Sequence, residues 1–206
     1  MRQRVVILGS EEKEILVSLV RHLKSHQSAK LVSVIFDRPC PTLAGSLRQL
    51  GYGLRIISHH KISLRKREEY ERELLEEVTK TRPDWIFLCG YSWILPEVFV
   101  NRFRWRILNI HPSLLPAFPG SNAIEDAWWW GAKITGVTIH FVDESVDMGP
   151  IILQEAYYIK EEDDQKTIYD NLVEIGKKLY KKVIDRILTE KVYINGRKVT
   201  FEDSGW

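Results

Sequence analysis

Apolar and polar positions alternate in blocks along the first half of the chain. "RVVIL" (4–8), "LVSVIF" (31–36) and "LRIIS" (54–58) are short apolar runs, and each is followed by a stretch with helical spacing, near 11–25, 42–50 and 66–81. In the last of these, Tyr70, Leu74 and Val78 recur every four residues among charged neighbours, which predicts one buried face of a helix. "DWIFLC" (84–89) and "WRILNI" (105–110) continue the series, separated by a short helical piece around 96–103. The second half has a helix near 121–131, extended runs at 134–142 and 150–159, and a long amphipathic helix near 165–189. "VYINGRKVTF" (192–201) carries Asn195-Gly196 between two β-prone runs, a type I′ hairpin signal. Strands alternating with helices predict an α/β fold, a doubly wound, mostly parallel open sheet with helices on both faces. A C-terminal long helix and β-hairpin complete it. No repeat or linker interrupts the pattern, so residues 1–206 are expected to form a single domain.

Composition narrows the classes. Of the 206 residues, 44% are hydrophobic and 28% charged, enough to bury a substantial core. A formal charge of +2 points to neither a nucleic acid nor a membrane surface. The basic clusters Lys61 to Arg72 and Lys177 to Lys182 read as solvated helix faces. Cys40 and Cys89 lack metal-ligand spacing and suit reduced core thiols of a cytoplasmic protein, so no metal is expected. "MRQRVVILGSEE" reads as a first strand, and no run approaches the roughly 18 apolar residues of a membrane helix.

The chemistry gathers where strand 105–110 gives way to a proline-rich loop. Asn109 and His111 are two apart, so on a strand they face the same way, and Pro112 stops the ladder. Ligands of open α/β sheets bind beyond the carboxyl ends of the strands. The pair suits either a hydrogen-bonded cap of the strand or an amide that holds an oxyanion beside an imidazole that moves protons. After strand 134–142, Asp143, Glu144 and Asp147 crowd a loop ended by Gly149-Pro150. This is either an ordinary acidic turn or the source of a carboxylate that orients His111. Asparagine, histidine and aspartate at one sheet edge fit acylation of an amine.

"LNIHPSLLPAFPG" (108–120) followed by "TGVTIHFVDESVDMGPII" (135–152) resembles the folate-dependent formyltransferases, with the glycinamide ribonucleotide transformylases of purine biosynthesis as the nearest branch. The similarity runs from about Arg67 to Ile194 and is dense from Ile107 to Gln154. The resemblance implies that 10-formyltetrahydrofolate donates its formyl group to a primary amine. Asn109, His111 and Asp147 would be the catalytic triad: Asn109 on the formyl oxygen, His111 assisting and shuttling protons, Asp147 holding His111 and ordering a water. Folate contacts would come from Tyr91, Trp93, Ile94 and Leu95 in "GYSWILP", and from Val142, Asp143 and Glu144. Arg67 could serve the folate glutamate tail. His140 either lines the site or is structural.

Three departures concern the ligands. The family follows its first strand with a Gly/Ser/Asn-rich loop whose amides cradle the substrate phosphate. Here Gly9 and Ser10 survive, but Glu11 and Glu12 fall where the anion would sit. A phosphate at about 5 Å from a carboxylate is repelled by roughly 3 kcal/mol per unit charge at an effective dielectric of about 20. Gly176-Lys177 replaces the family's amine-contacting glutamate-histidine pair, with Glu174 nearby as a substitute. Trp93 stands where the family commonly has an arginine. The leading expectation is therefore a formyltransferase acting on a non-standard amine, such as an amino sugar or sugar nucleotide. A phosphoribosylglycinamide formyltransferase with a remodelled phosphate loop, a formyltetrahydrofolate hydrolase, and a non-catalytic folate- or nucleotide-binding module are the alternatives. Trp128, Trp129 and Trp130 span about 200° of helix, so they cannot share one core face. They are core and incidental surface, an acceptor platform, or a subunit contact; monomer and homodimer both stay open.

Overall fold

A computed structural model describes residues 1–11, 14–58 and 64–202. Glu12 and Lys61, which the sequence singled out, lie outside these residues. The chain divides into two compact units, Met1–Ile107 and Leu108–Trp206, each described here by itself.

The first unit holds β1 (Gln3–Gly9), α1 (Glu14–Ser25), β2 (Ala29–Phe36), α2 (Pro41–Gln49), β3 (Arg55–Ile56), α3 (Leu64–Lys80), β4 (Trp85–Cys89) and α4 (Glu97–Arg102). Its strands run in the order β3-β2-β1-β4, all parallel. β1 is central, and Val5, Val6, Ile7 and Leu8 have no exposed surface. A strand covered on both faces needs a continuous apolar run, which is why "RVVIL" shows no alternation. α1 buries Ile15, Leu16, Leu19, Val20 and Leu23 along one stripe and packs on β2. Tyr70, Leu74 and Val78 of α3 are buried at the expected spacing. β3 is shorter than the run 54–58 suggested, with Arg55 and Ile56 alone on the ladder of β2.

At the join lies β5 (Ile107–His111). It begins two residues later than expected because Trp105 has a φ of 60°, outside the extended region. The second unit continues with α5 (Ala123–Trp129), β6 (Ile134–Phe141), β7 (Ile151–Tyr158), α6 (Gln165–Thr189), β8 (Val192–Asn195) and β9 (Lys198–Phe201), in the strand order β5-β6-β7-β9-β8. The ladders β5/β6, β6/β7 and β8/β9 are antiparallel, and β7 meets β9 in parallel. The parallel character expected of the sheet is thus concentrated in the first unit. α6 starts at Asp164, whose carboxylate accepts from the Thr167 amide at 2.7 Å, a side-chain cap on the first turn. It packs on β6 and β7, and its fully buried Tyr180 donates to the Leu108 carbonyl at 3.3 Å. In the hairpin, Asn195 pairs with Lys198, so the two-residue loop is Gly196-Arg197, one position beyond the expected turn; Gly196 takes its positive φ of 59°.

Gly136 on β6 lies close against β7 and the proline-rich loop. A Cβ there would lie 2.2 Å from the Glu155 carbonyl oxygen and 2.7 Å from Leu114 Cδ2. Backbone cannot yield as a flexible side chain can. Gly136→Ala should therefore lower stability by at least about 2 kcal/mol, the scale of overpacking a core. Urea denaturation checks this, and an unchanged midpoint would show that β6 and β7 can separate at little cost.

Candidate active site

β5 and β6 build the polar centre of the second unit. Asn109 and His111 project from one face of β5, as the i, i+2 spacing requires. The antiparallel register places His140 opposite Asn109 and Thr138 opposite His111. His111, Ser113, Thr138 and His140 are at most 4% exposed, so their hydrogen bonds must be made within the protein.

Thr138 and Gln154 pin the proline-rich loop. The Thr138 hydroxyl donates to the Ser113 carbonyl at 2.6 Å and accepts from the Leu115 amide at 3.1 Å. Gln154 Nε2 donates to Thr138 Oγ1 at 2.8 Å and to the Leu115 carbonyl at 2.9 Å. The loop then passes Phe118, at a φ of 51°, and its carbonyl lies 2.8 Å from His111 Nε2. A carbonyl only accepts, so Nε2 carries the hydrogen.

Asp147 closes the arrangement from the loop after β6. Its Oδ2 accepts from the Gly120 amide at 2.7 Å and stands 3.4 Å from His111 Nδ1. Its Oδ1 is 3.6 Å from His140 Nε2. Both histidine distances are longer than a good hydrogen bond. Asp147 sits at a φ of 55°, in the left-handed region. Gly149 follows because a Cβ there would come within 1.7 Å of the Phe141 carbonyl oxygen. His111 thus has the Phe118 carbonyl at one ring nitrogen and the Asp147 carboxylate beside the other.

His140 is built the opposite way. Its Nδ1 donates to its neighbour's carbonyl, Phe141 O, at 2.9 Å, which leaves Nε2 as an acceptor. Burial, the largest influence, holds its pKa below the ordinary 6.5, although the Phe141 carbonyl and the Asp147 carboxylate pull the other way. Asn109 Nδ2 lies 3.3 Å from Nε2 and must therefore donate. That contact settles which way the Asn109 amide is turned and leaves its second hydrogen to donate elsewhere. The structure gives His140 a specific role that the sequence left open. Its signal was the strand register, which no local spacing reports.

The other expected residues of this unit are less concentrated. Val142 and Asp143 are half-buried after β6, and Glu144 is exposed. Asp143 Oδ1 accepts from the Ser145 amide at 3.0 Å. Glu174, on α6, is exposed and pairs with Lys177 at 2.6 Å. Among the described residues no group of three histidine, cysteine, aspartate or glutamate side chains could hold a metal ion. No helix there is long and apolar enough to cross a membrane.

The first unit carries a second polar cluster at the carboxyl ends of β1, β2 and β4. Gly9 ends β1 where a Cβ would meet Phe36 and the Cys89 carbonyl. The amides of Ser10 and Glu11 both point at the Gly90 carbonyl, at 3.0 and 3.4 Å. Ser10 Oγ accepts from the Ser92 amide at 3.1 Å. Glu11 pairs with Arg38 at 2.7 Å, and Arg38 also grips the buried Asp37 with two nitrogens at 3.0 and 2.8 Å. Trp93 Nε1 donates to Asp37 Oδ2 at 2.5 Å. Desolvation is the largest influence on Asp37 and raises its pKa. The hydrogen bonds of Arg38 and Trp93 and the charge of Arg38 outweigh it, so the net shift is downward. Sequence reasoning passed over Asp37 and Arg38; an acid-base pair directly after a buried strand was the available signal.

Nearby, the Tyr70 and Tyr91 hydroxyls are 2.7 Å apart, and burial pushes Tyr70 up to about 12. Ile94 is 61% exposed and Leu95 is buried. Trp93 is held by its indole edge, and Arg67 pairs with Glu71 at 2.8 Å. Cys89 is buried and Cys40 is half-buried.

Residues 3–184 match the formyl transferase family. The chain belongs to that family. The match reaches back to the first strand, further than the motifs alone suggested. Phosphoribosylglycinamide formyltransferase of Mycobacterium tuberculosis is 31% identical over 199 residues, 96% of this chain and 90% of that protein. Formyltetrahydrofolate deformylase of Escherichia coli O6:H1 is 29% identical over 204 residues, covering 96% of this chain and 69% of that one. Among solved structures, glycinamide ribonucleotide transformylase 1 from Symbiobacterium toebii superposes with a TM-score of 0.89 at 29% identity, covering 97% of this chain and 94% of that one. The α/β formyltransferase fold is thereby shared along nearly the whole chain.

The neutral His140 makes stability depend on pH. Its folded pKa is depressed, so on acidification the unfolded chain takes up a proton near 6.5 while the folded chain does not. Stability should fall as pH drops through 6.5 toward the lower folded value, by no more than about 1.4 kcal/mol per pH unit from this one group. Urea midpoints at pH 7.5 and 5.5 should converge in His140→Gln relative to the unmodified protein. An equal loss in both would place the acid sensitivity elsewhere.

Proposed function

We propose that this protein transfers the formyl group of 10-formyltetrahydrofolate to a primary amine that presents no phosphate to the loop after β1, an acceptor of the amino-sugar or sugar-nucleotide kind. One observation carries the choice of acceptor. The Ser10 and Glu11 amides donate to Gly90, and the Arg38 guanidinium is held by Glu11 and Asp37, so these three donors are engaged within the protein. Membership of the formyl transferase family supports the donor and the reaction.

In this reading the amine attacks the formyl carbon, a carbon–nitrogen bond forms, and the carbonyl oxygen becomes an oxyanion. Asn109, turned by neutral His140, donates its second amide hydrogen to that oxygen. His111 and Asp147 pass the proton lost by the amine toward folate N10, whose bond to the formyl carbon breaks. His111 is suited to this because Phe118 anchors Nε2 and leaves Nδ1 to exchange a proton beside Asp147. Tyr91, Trp93, Ile94, Leu95 and the backbone of 142–144 serve the folate, as the family resemblance implies. Residues 1–206 act as one catalytic domain in the cytoplasm.

Phosphoribosylglycinamide is the second acceptor to weigh, because the M. tuberculosis relative that carries that name covers 96% of this chain. A steady-state assay separates the two. With 10-formyltetrahydrofolate, glycinamide ribonucleotide should give a kcat/KM below about 10⁴ M⁻¹s⁻¹, the lower end for enzymes on their own substrates. A higher value would overturn the phosphate-free reading. The Glu11→Gly/Glu12→Asn variant should improve the use of phosphorylated acceptors. Formate release without any amine would instead assign hydrolysis, and folate binding without turnover would assign a binding module.

The triad has its own test. Asn109→Ala and His111→Ala should each lower kcat by at least about 10²-fold, the scale of losing one oxyanion donor. Folate binding should change far less, since these contacts strengthen in the transition state. Asp147→Asn should act in the same direction. Near-normal turnover in all three would remove the mechanism.

A further inference from the structure

The loop that carries Asp147 is loosely held at its downstream end by its own residues. Val146 and Met148 are 47% and 43% exposed, so their side chains bury little. The bond that closes the turn, from the Met148 amide to the Ser145 carbonyl, is long at 3.4 Å. Yet Asp147 holds a φ of 55°, a sparsely populated conformation that persists only where the surroundings impose it. Its contacts also demand a fixed place: Oδ2 takes the Gly120 amide at 2.7 Å and stands 3.4 Å from His111 Nδ1.

The C-terminal hairpin supplies a restraint from outside the loop. β9 joins the sheet beside β7 by pairing Lys198 with Ile151, two residues after Gly149. This register carries the hairpin tip to the downstream end of the Asp147 loop. There Arg197 Nη1 donates to the Met148 carbonyl at 2.5 Å. A charged donor on an oxygen makes a short, strong hydrogen bond. It fixes the peptide that joins Met148 to Gly149, one residue beyond Asp147. Gly149 in turn lies hard against the end of β6, where a Cβ would come within 1.7 Å of the Phe141 carbonyl oxygen. The chain is thus pinned at two successive residues.

The hairpin has a firm seat from which to do this. Phe201, opposite Val192 on the ladder, is 4% exposed, and the Arg186 guanidinium of α6 sits 4.1 Å from its ring centroid. Glu190 grips Arg186 at 2.6 Å. Arg197 therefore reaches out from a fixed base, although its own side chain is exposed.

We propose that Arg197 is a positioning residue for formyl transfer: by holding the Met148 carbonyl it keeps Asp147 beside His111 and Gly120. The inference rests on the role given to Asp147 above, and it gives the hairpin a part in turnover through the loop it restrains.

Two variants separate this role from a merely structural one. Arg197→Met keeps much of the side-chain length and removes the donors, whereas Arg197→Lys keeps a cationic donor. Amide hydrogen exchange followed by NMR reads the position of Asp147 without any substrate. In Arg197→Met the Gly120 amide should exchange at least about tenfold faster, while amides of the β6/β7 ladder keep their rates. The kcat for 10-formyltetrahydrofolate should fall about 10- to 100-fold, the scale of an ångström of misplacement. Folate affinity should change by less than about threefold, because the restraint acts on the reacting groups. Glycinamide ribonucleotide serves as the acceptor throughout, since only the ratio to the intact protein is read. Arg197→Lys should recover most of both losses. Unchanged Gly120 exchange or unchanged turnover in Arg197→Met would overturn the proposal. So would faster exchange along the whole ladder with no recovery in Arg197→Lys, the behaviour of a structural residue. A fully active Asp147→Asn enzyme would remove the role of Asp147 itself, and the proposal with it.

Discussion

The Thr138 hydroxyl, which has no exposed surface, gives its hydrogen to Ser113 and receives hydrogens from Leu115 and Gln154. Those bonds tie a loop rich in proline to the face of an antiparallel pair of strands. The loop could not otherwise satisfy its backbone groups, since Pro112, Pro116 and Pro119 have no amide hydrogen to offer a ladder. Once it is tied, the Phe118 carbonyl and the Gly120 amide are both fixed. One orients His111 and the other holds Asp147. The polarity of the whole centre follows from atoms that can only accept or only donate: two carbonyls decide which nitrogen of each histidine bears hydrogen.

The two histidines show how position alone separates chemical roles. Both are nearly inaccessible to water and both lie close to Asp147. His111 has the Phe118 carbonyl at Nε2 and the Asp147 carboxylate beside Nδ1. His140 has an acceptor at Nδ1 and a donor, Asn109, near Nε2, and its burial opposes charge. One ring can thus take part in proton movement while the other serves as a fixed acceptor.

Much of this was readable from residue order. Continuous apolar runs located the parallel strands, four-residue spacing located α3, and the i, i+2 rule placed Asn109 beside His111. What escaped was set by contacts between distant positions. His140 meets Asn109 through strand register, and Asp37 gathers Trp93 across 56 positions and Ser10 across 27. No local period encodes such pairs. The hairpin erred by one residue because Asn-Gly marks a turn without specifying which bond closes it; Asn195 remained on the ladder. The start of β5 was set by Trp105 leaving the extended conformation, which hydrophobicity does not report.

Asp147 carries a requirement separate from its charge. At a φ of 55° the backbone occupies a region that β-branched and bulky side chains enter only with strain, and that asparagine, aspartate and glycine tolerate best. Glutamate would keep the negative charge but lose that tolerance and lengthen the reach to His111 and Gly120. Asparagine would keep the conformation and lose the charge, and glycine would lose both contacts. Every neighbouring sequence thus gives up one of two independent properties. The exposed Glu144 and Val146 in the same loop face no such double demand.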